Sequence, residues 1–319
     1  MVSFCRGHFY RKYAGKDCKR MKKQIQFPTN KKQFPTNKKT ALLFLSNCVI
    51  VFIIRLQYSE VFRLNYNFHT HTYLCGHASG IPEEYIQRAI RCGIQYLGFS
   101  DHAPMLIGGN EKIATRMKAS EIEGYVAELK RLREKYKDQI DLSIGLEIEY
   151  YPSFFSETLK RIKEFDIEYL ILGQHFSREE RSGYQYVTAP IADEDDFKEH
   201  VAQVVEGIHS KVFTYVAHPD VFHFTGDQAL YRQEMRKICV ASRECNVPLE
   251  INMLGIRDHR NYPTPLFWEM AGEEKCPVTF GFDAHDVQNV YDEVSLMQAK
   301  ELVRKFDLQY IGMPKLILL

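Results

Sequence analysis

Residues 67–80 read NFHTHTYLCGHASG, which places three imidazoles, His69, His71 and His77, close together in a chain with 12 histidines among 319 residues. The segment grows out of a short apolar alternation, LNYNF at 64–68. Alternation along a strand puts positions 69 and 71 on one face, so by itself the pair marks only a strand end. Its meaning comes from repetition. Six further strand-like runs follow: YLGFS (96–100), LSIGLEI (142–148), YLILGQ (169–174), FTYVA (213–217), PLEIN (248–252) and VTFGF (278–282). They end in or carry, in order, Asp101 with His102, Glu147, His175, His218, Asn252, and Asp283 with His285.

Amphipathic stretches separate these runs. One begins at Pro82 and stops at Cys92–Gly93, a Pro-first, Gly-last helix. Others are expected near 120–137, 154–164, 194–208, 228–245, 264–273 and 293–304. Seven strand–helix units in sequence predict an α/β fold, a seven-stranded barrel of TIM type one unit short of eight. In such a barrel the C-terminal strand ends share one mouth, so the imidazoles and carboxylates would face a single cavity. Burying that many polar groups is costly unless bound cations compensate them. The histidines therefore read as metal ligands, although any one of them alone would more often be a hydrogen-bonded core residue.

Composition narrows the classes further. Hydrophobic residues at 45% and charged residues at 26% describe a globular chain with a sizeable core. The net charge of +1 hides an asymmetry: residues 1–64 hold 14 Lys/Arg against 2 Asp/Glu, and the remainder 28 against 39. An acidic body argues against a nucleic-acid groove and suits cation binding. The eight cysteines show no CxxC pair, which predicts free thiols and a cytoplasmic location.

Residues 1–63 differ from the rest. QFPTNKKQFPTNKK (26–39) is a basic tandem repeat, and ALLFLSNCVIVFII (41–54) is apolar but only 14 residues long. That is shorter than the roughly 20 residues a membrane-crossing helix needs. The segment is read as an N-terminal extension, disordered or a single helix, and membrane association is not expected.

The motifs FHTHTYLCGHASG, GFSDHAP, GLEIEYYP, LGQHF, VAHPD, LEINMLGIR and FGFDAH resemble those of the polymerase and histidinol phosphatase (PHP) superfamily, in particular its monofunctional histidinol-phosphatase branch. The resemblance spans about residues 65–310 and leaves residues 1–63 untouched. It implies a distorted seven-stranded barrel and three divalent ions, zinc, manganese or iron. One ion would sit among His69, His71, Glu147 and Asp283. A second would share Glu147 and add His175 and His218; the third would take His77, His102 and His285. The implied reaction is hydrolysis of L-histidinol phosphate in L-histidine biosynthesis, with another small phosphate ester or a nucleotide as the alternative substrate. A metal-dependent amidohydrolase with a bridging carbamylated lysine fits less well, because Glu147 occupies that place.

Asp101, Glu147, His175 and Asp283 are the expected catalytic residues. For Asp101 two roles stay open: proton donor to the leaving alkoxide, or a carboxylate that orients an imidazole. A phosphate calls for a guanidinium, with Arg257 the first choice, then Arg178 and Arg116. Asn252 is expected to bond substrate or water, and Glu149 or Asp286 to receive the substrate's ammonium group. Cys75 is assigned no role, and His200 and His209 are expected to face solvent from a helix. The oligomeric state is not legible.

Overall fold

The structure, a computed structural model, describes residues 64–106, 115–176 and 185–319. The expectations for residues 1–63 and for Arg178 lie outside the described residues.

All seven expected strands form: β1 (Tyr66–Asn67), β2 (Tyr96–Phe99), β3 (Asp141–Ile148), β4 (Tyr169–Leu172), β5 (Phe213–Val216), β6 (Leu249–Asn252) and β7 (Pro277–Gly281). A two-residue strand, β8 (Gln309–Tyr310), is added, and the eight pair in parallel in sequence order. The helices between them are α1 (Pro82–Cys92), α2 (Ile122–Tyr136), α3 (Phe155–Ile162), α4 (Glu194–Ser210), α5 (Gln228–Cys245), α6 (Met253–Arg257), α7 (Pro265–Glu273) and α8 (Glu293–Lys305). The short α6 was not anticipated. It forms because Asn252 ends β6 and caps the next turn at once, its Oδ1 accepting from Gly255 N at 3.1 Å. At α1, Pro82 occupies the first turn and Gly93 closes it at φ 79°, as its sequence implies.

The seam of the barrel explains why seven strands, not eight, surround the mouth. Thr70 bridges Ala284 in parallel, with His71 N donating to Ala284 O at 2.9 Å and Ala284 N to His69 O at 3.2 Å. Asn67 supplies the missing ladder acceptor, its Oδ1 receiving His69 N at 3.1 Å and Phe282 N at 3.3 Å. β8 lies at the opposite end of the same seam. There the Tyr66 hydroxyl is 3.1 Å from the Tyr310 hydroxyl and donates to Gly312 O at 2.8 Å.

Beneath the mouth the interior is filled by aromatic rings. Tyr169 is wholly buried and its hydroxyl donates between Phe68 O and Phe99 O, 2.9 and 3.1 Å away. Gly98 and Gly145 on the adjoining strands make room for it: a Cβ at either would stand 2.2 and 2.4 Å from Tyr169 atoms. This floor sets the depth at which the strand-end side chains converge.

Candidate metal centre

Glu147, near the end of β3, is the hub. Its Oε2 lies 3.4 Å from His69 Nε2, 3.4 Å from His71 Nε2 and 3.1 Å from His102 Nδ1. Its Oε1 faces His218 Nε2 at 2.9 Å and His175 Nε2 at 3.5 Å. Asp283, after β7, completes the first group, with Oδ1 3.5 Å from His69 Nε2 and 3.4 Å from His71 Nε2. The position of Glu147 depends on Gly173, where a Cβ would stand 2.0 Å from Oε1.

The third expected group also comes together. His77, His102 and His285 present ligand atoms within 4.8 Å of one another, as do His69, His71 and Asp283. His71, His102 and Glu147 form a further such set, so His102 borders both centres. Cys75 is buried beside the third group and forms another set with His71 and His285. Burial opposes ionisation of its thiol, but His285 and His77 pull the pKa down to about 6. Strand alternation gave no sign of this, because a 3₁₀ turn (Tyr73–Cys75) directs the thiol.

The donor set fits cations. Both Glu147 oxygens, Asp283 Oδ1, His69 Nε2, both ring nitrogens of His71 and His285 Nε2 are buried without a hydrogen-bond partner. Buried polar atoms are nearly always bonded, and although other unpartnered atoms are scattered among the described residues, such as Tyr215 Oη and Trp268 Nε1, this is where they cluster on candidate ligands. Burial alone would raise the pKa of Glu147 and Asp283, yet neighbouring imidazoles hold both well below the usual carboxylate range. Burial pushes His71 down to about 3, leaving a neutral donor. Despite burial, neighbouring carboxylates raise the pKa of His69, His175 and His285, so a divalent ion binding there would displace protons from these imidazoles. His218 and Asp283 adopt left-handed backbone, φ 29° and 47°, a conformation that costs energy in non-glycine residues and clusters at functional sites.

Surrounding residues anchor these side chains. His175 Nδ1 is 3.0 Å from Glu149 Oε1, and Glu149 also receives Arg116 in a two-pronged pair at 3.0 and 3.1 Å. Burial opposes the charge on Glu149, but Arg116 and His175 together hold its pKa at about 2. Glu149 is therefore engaged with His175 and Arg116, not free for the ammonium contact expected of it. Arg116 lines the cavity but is committed to Glu149 and to Ala103 O at 2.9 Å. Asp101 is buried and does not line the cavity. Its two oxygens accept from Thr72 N and Thr72 Oγ1, both at 2.7 Å, which clamps the loop between His71 and His77.

Asn252 is buried, with its amide shared among Glu250, Asp283 and Gly255, and it does not line the cavity. Arg257 also stays off the cavity, its guanidinium pointing at Phe282 O and Asp283 O, 3.5 and 3.4 Å away. Arg260, three residues on, lines the cavity instead. Asp286 sits on the cavity rim and accepts from Ser79 Oγ at 3.0 Å. His209 is exposed as expected, whereas His200 is not: it is buried against Phe222, ring centroids 4.9 Å apart, and burial lowers its pKa to about 3. Its position on α4 faces the barrel, one turn after Phe197, which is itself buried.

A cavity of about 480 Å³ opens above these groups, walled on the far side by Tyr186, Leu254, Asp258, Arg260 and Tyr262. The Tyr186 ring stacks on His175, 5.6 Å between centroids at 8°.

A PHP domain profile matches residues 67–253, more than half of the 319-residue chain. The chain belongs to the PHP family. The match takes in every candidate ligand of this PHP barrel except Asp283 and His285, which follow on β7's loop. Among curated relatives, a probable histidinol-phosphatase of Deinococcus radiodurans is 28% identical over 225 residues, covering 68% of this chain and 85% of that one. The histidinol-phosphatase of Bacillus subtilis is 24% identical over 257 residues, covering 70% and 94%. Among solved structures, histidinol phosphate phosphatase of Lactococcus lactis, crystallised with zinc, L-histidinol and phosphate, aligns with a TM-score of 0.58 at 19% identity. That alignment covers 77% of this chain and 95% of the other, and establishes likeness of fold.

Proposed function

We propose that this PHP protein is a divalent-metal-dependent phosphomonoesterase that hydrolyses L-histidinol phosphate to L-histidinol and phosphate. One observation carries the reading: the unpartnered atoms of Glu147, Asp283, His69 and His71 meet at the foot of a substrate-sized cavity. The names of the relatives then supply the substrate. His69, His71, Glu147 and Asp283 would hold one ion, Glu147, His175 and His218 a second, and His77, His102 and His285 a third. Zinc, manganese or iron each suit such imidazole–carboxylate sets. Bound there, divalent ions lower the pKa of a water and neutralise phosphate oxygens.

The remaining work falls to the far wall. Arg260 takes the role first given to Arg257, offering its guanidinium to the phosphate; its contacts to Tyr262 and Asp258, 3.4 and 3.5 Å, are long enough to yield. Asp258 and Asp286 offer carboxylates to the ammonium group, and Tyr186 offers a ring face to the imidazole. Asp101 holds the first loop through Thr72.

A cytoplasmic place in L-histidine biosynthesis belongs to the same proposal, supported by free Cys75, Cys92, Cys239, Cys245 and Cys276. Among the described residues no helix is long and apolar enough to cross a membrane.

The test pairs elemental analysis with phosphate release from L-histidinol phosphate, other small phosphate esters and nucleotides. Bound metal and a clear preference for L-histidinol phosphate are expected. Comparable rates on a nucleotide would replace the substrate assignment with a broader phosphoesterase. Protein that neither contains metal nor gains activity from it would end the proposal.

A further inference from the structure

We infer that Glu250 is a positioning residue that sets two strands' worth of metal ligands at once: it fixes the ring of His69 and the backbone of His218. This rests on the metal reading above. Glu250 lies in the middle of β6 and is wholly buried. Its Oε1 is 2.8 Å from His69 Nδ1. Its Oε2 accepts from His218 N at 3.1 Å and from Asn252 Nδ2 at 2.9 Å. The same Asn252 nitrogen donates to Asp283 Oδ2 at 3.0 Å. Candidate ligands on the ends of β1, β5 and β7 are thus tied to one carboxylate on β6.

Each tie has a chemical consequence. A carboxylate on Nδ1 keeps the proton there, which would leave the His69 Nε2 lone pair for a cation held between it and Glu147 and Asp283, whose oxygens are 3.4 and 3.5 Å away. Nε2 is also the ring atom left without a partner. The bond from His218 N restrains a residue whose left-handed φ of 29° is unfavourable. Space for the carboxylate is built in: a Cβ at Gly281 on β7 would stand 1.6 Å from Glu250 Oε1. Glycine is required at that strand position by the close approach of the carboxylate.

The experiment measures Zn²⁺ affinity by chelator competition and metal content by elemental analysis, for wild type and Glu250→Gln. Glutamine keeps the size but turns one acceptor into a donor. Affinity is expected to fall about 10- to 100-fold, the usual cost of losing such a partner, with activity recovering in excess Zn²⁺. A merely structural role would not be rescued by metal. Unchanged affinity, or a loss that excess metal leaves in place, overturns the inference. Wild type that binds no Zn²⁺ overturns the metal reading instead. Should the variant fail to fold, ¹⁵N-histidine spectra of the wild-type metal-loaded protein decide. His69 protonated at Nδ1 supports the assignment, and His69 protonated at Nε2 refutes it.

Discussion

The mouth of the barrel and the layer beneath it are equally buried and oppositely satisfied. Below, the hydroxyl of Tyr169 donates between two strand carbonyls, and that of Tyr66 meets Thr279, Tyr310 and Gly312 O. Above, Glu147 and His71 are as deeply enclosed, yet their polar atoms have no bonding partner. In the lower layer these hydroxyls are satisfied and serve the fold, while the Tyr215 hydroxyl is the one there, among the described residues, buried without a partner. The upper layer gathers carboxylate and imidazole atoms that have no partner in the chain, a donor set that suits a cation.

Three substitutions test how deep this division goes. The largest effect is expected at Glu147, which touches five imidazoles. Glu147→Gln should lose metal and reduce turnover by about 10³-fold or more, because each bound cation is worth several kcal/mol at the transition state. Assay and elemental analysis check this together, and a metal-replete, active variant would abolish the distinction between the layers. Glu149→Gln probes the wall between them: release of His175 should lower activity by about 10- to 100-fold.

The same residue makes a pH prediction. The folded pKa of Glu149, about 2, lies below its ordinary 4.5, so the unfolded chain takes up the proton first as pH falls. Its contribution to stability is therefore complete above about 4.5 and drains away towards 2. Melting curves in chelator should show wild type and Glu149→Gln differing most near neutrality and converging as acid is added over that window. The smallest effect belongs to the floor. Tyr169→Phe removes one shared hydrogen bond, about 1 kcal/mol, or roughly 2–4 °C in melting temperature. The loss should be equal with and without metal, and turnover should survive. A metal-dependent loss would mean that the floor and the mouth are energetically linked.

Much of this was readable before any coordinates. Periodicity placed α1 and α5 to the residue, Pro82–Cys92 and Gln228–Cys245, because apolar spacing and capping residues are local signals. The candidate ligands were readable for a related reason: parallel strands point the same way, so a polar residue at each C-terminal end must reach the same mouth. Short or distant features escaped. β8 has two residues, too few to show alternation. His200 lies on a helix whose buried face is wider than its polar composition suggests. Arg257 and Arg260 are three residues apart, and only the turn after α6 decides which one faces the cavity.

What the chain's order of residues determined alone was the kind of fold, the set of side chains at the mouth and their chemistry as cation donors. Each of those follows from short-range pattern and from strand direction. Tertiary structure decided which polar groups are already occupied. Asp101 is spent on Thr72, Glu149 on Arg116 and His175, and Glu250 on His69 and His218, whereas Glu147 is left open. The reason is geometric: a hydrogen bond requires approach within about 3 Å, and partners up to 181 residues apart reach that distance only when the barrel closes.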